Sequence, residues 1–356
     1  MNGKKWIKIF MALSILGVST VGIINYIIDP FQQYRAKTFY PIAFLKERYQ
    51  NAGLSKNLDY DSVVLGTSTS ENFILNEVED NLNYKKALKL SVKGGSAREQ
   101  SITLKTAIKN NKNLKHVLWG LDSFVFIGEA NRLKSGPGTF PEYLYDSNIL
   151  NDYKYLLSID TLLDSFKSVS RPYLKKDKSV YDYNKMYQWQ HQLENDFTFE
   201  KIIEAWENRD LDLDEELDKQ SFSYLKNSFD INFIPIIKNN KQIEFKIFFP
   251  PYSILHFKGI EERNSLDDTF KFERYIFNQL KNYPNIKMYD FQINKKLTHN
   301  LANYRDLIHY HQKFNTWIVE QIKNDKYLIT EENIDKNLRE LDKQIKNYNL
   351  KKELKR

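Results

Sequence analysis

A chain of 356 residues with a formal net charge of +7 and no cysteine is long enough to bury a full α/β core. It excludes disulfides, thiolate nucleophiles and cysteine-based zinc or iron–sulfur sites. A pI near 9.0 suits nucleic acid, anionic lipid or an anionic wall polymer, but no compact Lys/Arg block with interleaved aromatics occurs in the core region, so nucleic acid is disfavoured.

The first eight residues carry Lys4, Lys5 and Lys8, and the chain then runs from Ile9 to Ile28 without a charge. At about 1.5 Å per residue this run covers the roughly 30 Å hydrocarbon layer of a bilayer. The pattern predicts a transmembrane anchor over 9–28, with residues 1–8 cytoplasmic and the bulk of the chain outside, because basic residues stay on the cytoplasmic side. A cleaved signal peptide is the alternative, but Asn25-Tyr26-Ile27-Ile28 is bulky where a small-x-small cleavage site is needed. A buried core helix is a third reading.

Residues 29–58 read as an irregular, partly helical connector. An α/β domain over 59–128 and 241–325 follows from short apolar runs separated by segments of helical periodicity. The expected strands are 62–65, 87–92, 116–120, 245–249 and 286–291. Ser96-Ala97-Arg98-Glu99 is a capping-box pattern that starts a helix reaching about Asn110, and a further helix covers about 266–283. The interruption at 129–240 is too long for a crossover and predicts an inserted helical cap, in which Gly136-Pro137-Gly138 is either a hinge or a plain surface loop. The charged segment 330–356 places Ile334, Leu338, Leu341, Ile345 and Tyr348 at helical spacing, so a helix there should lay an apolar stripe on a partner surface. Its last basic residues, through Lys355 and Arg356, read as a solvated end.

Two distant segments carry the chemistry. Val63-Val64-Leu65-Gly66-Thr67-Ser68 is a buried strand ending in glycine and small hydroxyls, which puts Ser68 at the carboxyl edge of a parallel sheet, where open α/β folds bind ligands. A following helix would favour developing negative charge there; an ordinary helix-capping serine is the competing reading. Far along the chain, Asp306-Leu307-Ile308-His309 lets a carboxylate fix an imidazole tautomer while the other ring nitrogen takes a hydroxyl proton. The neighbouring His311 competes with His309, and either histidine alone reads as a packing residue. The histidines show no metal-ligand spacing beyond that pair, so neither metal nor cofactor is expected.

On these residues the chain resembles the SGNH (GDSL-type) hydrolases. Gly66-Thr67-Ser68 is similar to their first block with Thr67 in place of Asp, Gly94 or Gly95 suits the glycine after the second strand, and Asp306-x-x-His309 suits the last block. The likeness spans about 59–325 without the insertion. It is strongest to the membrane-anchored envelope branch that includes DltD-like and alginate-acetylation-type proteins, which also have Phe249-Pro250-Pro251-Tyr252-Ser253 in common with this chain.

The resemblance implies a flavodoxin-like parallel sheet flanked by helices and a Ser68–His309–Asp306 triad for acyl transfer or ester hydrolysis. The substrate would be an extracytoplasmic polysaccharide or teichoic-acid-like polymer at a bacterial cytoplasmic membrane, and the partner a membrane-bound O-acyltransferase. It implies oxyanion donors at the backbone N–H groups of Ser68 and of Gly94 or Gly95, or at a protonated Asp122. Where the family has Asn after the third strand this chain has Asp122, which cannot donate when ionised. That departure favours a second expectation, a non-catalytic envelope module that binds a glycan or a membrane partner.

Overall fold

The computed structural model describes residues 3–136, 138–174, 178–190, 193–209 and 220–354. Pro137 of the expected turn, part of the 129–240 segment, and Lys355 and Arg356 lie outside the described residues.

Five short strands form one parallel sheet: β1 (Ser62–Leu65), β2 (Ala87–Lys89), β3 (His116–Gly120), β4 (Glu244–Phe249) and β5 (Ile286–Asp290), in the order β2-β1-β3-β4-β5. β1 and β2 are buried along their whole length and β3 along all but His116, which is why Val63-Val64-Leu65 and Val117-Leu118-Trp119 are continuous apolar runs rather than alternating ones. The second strand is shorter than expected, yet Leu90 N–H donates to Val64 O and Val92 N–H to Gly66 O, so the chain follows β1 as far as Val92. Chain order reverses between β1 and β3, and the crevice at such a reversal lies at the carboxyl ends of the strands.

Helices of eight or more residues are numbered in chain order: α1 (Gly3–Ile28), α2 (Glu47–Asn57), α3 (Leu75–Leu82), α4 (Ala97–Asn110), α5 (Ile159–Leu174), α6 (Phe199–Glu207), α7 (Phe222–Asn232), α8 (Ile254–Glu262), α9 (Leu266–Leu280), α10 (Lys313–Lys323) and α11 (Ile334–Asn347). Ser96 caps α4 by accepting the Glu99 N–H. The Glu99 carboxylate does not return the bond; it pairs with Arg48 and accepts the Lys134 N–H. α10 packs on α3, and α7 packs on α4 and α9.

α1 is long and apolar enough to cross a membrane. Its end is tied to the body through Asp29, which is buried and accepts the N–H groups of Gln33 and Tyr34 and the Tyr155 hydroxyl.

The described residues of the 129–240 segment pack at several places on the body. Its 153–174 portion packs along α1, Trp189 borders the Ser68 turn, and α7 joins the core. The carboxyl-terminal stripe differs from expectation. Ile334, Leu338, Leu341 and Ile345 are buried in this chain's own core, with α11 packed on α8 and α9. A periodic stripe shows that a face is covered but not by what.

Candidate active site

Gly66 ends β1 with φ +145, and a side chain there would collide with Ser70. Gly120 at the end of β3 is equally confined, by Ser70 and Phe248. These glycines let the chain turn tightly over the sheet edge. Thr67 is extended, and Ser68–Ser70 form a single 3-10 turn closed by Ser70 N–H to Thr67 O at 2.9 Å. The next α-helix begins only at Leu75, so the helix-terminus field expected to act at Ser68 is absent. Field effects of that kind need aligned turns.

Ser68 is 6% exposed, and its Oγ lies 2.7 Å from His309 Nε2. On the other side of the ring, His309 Nδ1 is 2.7 Å from Asp306 Oδ2. Asp306 Oδ1 accepts the N–H groups of Ile308 and His309 at 3.0 and 2.9 Å, so the three-residue spacing folds back on its own carboxylate. Burial works against the Asp306 charge, but the His309 bond and charge and these two N–H groups outweigh it and hold the carboxyl below its usual range. An ionised Asp306 fixes the proton on Nδ1 and leaves Nε2 free to accept the Ser68 proton.

The loop carrying His309 is clamped to the sheet edge. Tyr304 bridges to Tyr310, the Tyr304 hydroxyl donates to Pro251 O, and Ser253 donates twice to Leu307 O. Asn315 Nδ2, at the start of α10, donates to Thr69 O at 3.0 Å. His311 is outside the relay and pairs with Glu194 at 2.9 Å.

Asp122 follows β3 and is 0% exposed. Its carboxylate accepts the hydroxyls of Thr67 at 2.6 Å and Thr69 at 3.2 Å, the two residues flanking Ser68, and that of Tyr252. Burial raises its pKa, opposed by those three hydroxyls. Asp122 is therefore an acceptor beneath the turn and not a donor facing an incoming oxygen, contrary to the expected oxyanion role.

The glycines after β2 also have other duties. Gly95 N–H donates to Val92 O at 2.7 Å, and a Cβ at Gly95 would meet Val92 at 2.8 Å. Gly94, with φ +56, supplies the left-handed corner of that turn. Gly95 thus has no free N–H for an oxyanion. Among the described residues, the N–H groups of Ser68 and Gly94 have no hydrogen-bond acceptor.

Trp189 was not foreseen from sequence. Its Nε1 donates to Ser68 O at 3.0 Å, and its ring meets His309 edge-on at 5.2 Å. It is held by Asn72 Oδ1, which accepts the N–H groups of Trp189 and Gln190. No local motif surrounds Trp189, whereas Tyr252 sits in the singled-out 249–253 segment. A depression of about 260 Å³ opens beside Asp306, lined by Asp196, Lys201, Glu204, Asn208 and Arg305 among others. Among the described residues, no three His, Asp or Glu side chains gather as a metal-binding group.

No protein-family model matches the chain. No curated protein matches it either.

Proposed function

We propose that this chain is a membrane-anchored serine acyl-transfer enzyme of the SGNH type, acting on esters of an extracytoplasmic glycopolymer. The observation that carries the reading is the Ser68–His309–Asp306 relay, with both hydrogen bonds at 2.7 Å at the carboxyl edge of a flavodoxin-like sheet. Ser68 Oγ attacks the ester carbonyl as His309 Nε2 takes its proton, and Asp306 stabilises the resulting imidazolium. The tetrahedral oxyanion is met by the Ser68 N–H. His309 then gives the proton to the departing alkoxide, leaving an acyl-Ser68 ester and a free alcohol. In the second half, water or a sugar hydroxyl loses its proton to His309 and attacks that ester; His309 returns the proton to the departing Ser68 Oγ, releasing the free acid or the acylated sugar. Asp122 acts as a positioning residue through Thr67 and Thr69.

The shallow depression beside Asp306, lined mainly by charged side chains, would seat a hydroxyl-rich polymer next to the relay, with a small acyl group such as acetyl reaching Ser68. Lys4, Lys5 and Lys8 before the apolar span favour an extracytoplasmic body at a bacterial cytoplasmic membrane. A membrane-bound O-acyltransferase is the partner this reading favours.

Burial of an acidic residue where the family has a donor favours a second reading, a glycan-binding module without turnover. Hydrolysis of a chromogenic acetate by the full chain, measured beside glycan binding, separates the two. The enzyme reading expects Ser68→Ala to abolish hydrolysis and spare binding. Absence of hydrolysis in a parent protein that binds glycan overturns it.

A further inference from the structure

Helix α5 (Ile159–Leu174) has an unusual distribution of side chains. Ile159, Leu163, Phe166 and Tyr173 recur at helical spacing on one side and are 59%, 49%, 55% and 87% exposed. Thr161 and Ser165 occupy the opposite side and are buried. That buried side meets α1, with Ser165 Oγ donating to Asn25 Oδ1 at 3.1 Å. Asn25 in turn donates to Leu156 O and Ser158 O at 2.8 and 3.0 Å. Along the flank between the two sides run Asp160, Asp164 and Lys167, which line a cavity of about 630 Å³ together with Lys46 and Arg48.

A helix in water turns its apolar residues inward; this one turns small polar residues toward its neighbour and large apolar ones outward. That is the arrangement of a helix beside hydrocarbon, where small residues form the helix–helix contact. A charged flank beside the apolar face is the mark of a helix lying in a membrane interface. The neighbour is the carboxyl end of α1, the helix long and apolar enough to cross a membrane, so the exposed face is continuous with a lipid-facing surface. Ile149 and Leu150, earlier in the same segment, are also 79% and 81% exposed.

We propose that α5 is a second membrane element, lying in the interface of the leaflet that the carboxyl end of α1 reaches, with Leu163 and Phe166 in the lipid and Asp160 in water. The inference rests on α1 spanning the membrane, as the proposed function does, but not on any catalytic role of Ser68. Two attachment points would hold the body in a fixed orientation over the bilayer, where a single flexible anchor would let it tumble.

The chain has no cysteine, so single cysteines can be introduced and labelled with an environment-sensitive fluorophore in the full chain reconstituted in phosphatidylcholine–phosphatidylglycerol vesicles. Leu163→Cys and Phe166→Cys report the apolar face, Asp160→Cys the charged flank, Leu16→Cys the span, and Lys343→Cys the body. Quenching by nitroxide-labelled lipid is compared with quenching by aqueous iodide.

The proposal expects lipid quenching to exceed iodide quenching at 16, 163 and 166, and the reverse at 160 and 343. If 16 is lipid-quenched while 163 and 166 are quenched by iodide as strongly as 343, α5 lies in water and the proposal is wrong. Protection of 163 and 166 from both quenchers means a protein partner covers the face, which also overturns it. Iodide quenching at 16 removes the span itself, and this inference with it.

Discussion

The substitution Asp122→Asn separates the structural role of this carboxylate from the role its position in sequence suggested. As a carboxylate it accepts three buried hydroxyls, from Thr67, Thr69 and Tyr252. An asparagine side chain keeps one acceptor oxygen with two lone pairs, so at least one hydroxyl loses its acceptor and faces an amide N–H. Hydrogen bonds to a charged group contribute about 1.5–3 kcal/mol each and neutral ones about 1 kcal/mol. One lost bond and two weakened ones cost about 2.5–7 kcal/mol before relief of the buried charge is counted. Burial already pushes the Asp122 carboxyl upward, and losing that penalty offsets part of the cost.

The net destabilisation expected is about 1–3 kcal/mol, a fall in Tm of roughly 1.5–4 °C for a chain of this size. Because Thr67 and Thr69 flank Ser68, the turn also shifts, and a displacement near 1 Å lowers turnover by about 100-fold. Thermal melts followed by tryptophan emission, with chromogenic acetate hydrolysis on the same samples, measure both effects. An unchanged or higher Tm together with unchanged or faster turnover would refute the acceptor role and restore the oxyanion one.

Four further outcomes follow from the same geometry. Gly66→Ala forces a Cβ onto Ser70 at a backbone angle that side chains avoid, and should destabilise by about 2–5 kcal/mol, read as lost soluble yield and lowered Tm. Trp189→Phe keeps the ring beside His309 but removes the bond to Ser68 O, and should cost about 1 kcal/mol with a smaller loss of turnover than Trp189→Ala. Leu341→Ala removes a buried contact between α11 and the core and should lower stability by about 2–5 kcal/mol without altering oligomeric state, as size-exclusion chromatography with light scattering would show.

The fourth concerns pH. Burial raises Glu273 to about 8, with Asp290 beside it pushed up to about 6. The folded chain therefore holds a proton that the unfolded chain has lost between the ordinary value of 4.5 and the raised one of about 8. Stability falls as pH rises through that window. Glu273→Gln should flatten the fall of Tm across it; an unchanged slope would remove Glu273 as its source.

The parts of this chain that were legible in sequence are those set by local pattern. β1, β3 and α4 declare themselves through a buried apolar run or a cap, and Ser68 stands out because a strand ending in Gly66 leaves its side chain at a sheet edge. Asp306 and His309 are close in sequence, so one hairpin brings their side chains together. What escaped depends on segments distant in sequence. Trp189 reaches Ser68 from a region without a motif. The three hydroxyls around Asp122 come from the ends of two different strands. The stripe of α11 identified a covered face, but its partner, the α8–α9 pair of the same chain, is specified only by tertiary packing. The helix expected at Ser68 failed because Ser68-Thr69-Ser70 closes a single 3-10 turn before α3 begins at Leu75.

The most direct test of the central claim is covalent labelling of the purified full chain with a fluorophosphonate, followed by mass spectrometry of its peptides. A serine whose Oγ lies 2.7 Å from an Asp-oriented imidazole should be activated by that base. The account predicts one adduct, on Ser68, lost in Ser68→Ala and slowed by orders of magnitude in His309→Ala. A folded parent protein that acquires no adduct, or an adduct on Ser68 that forms equally fast without His309, would contradict it.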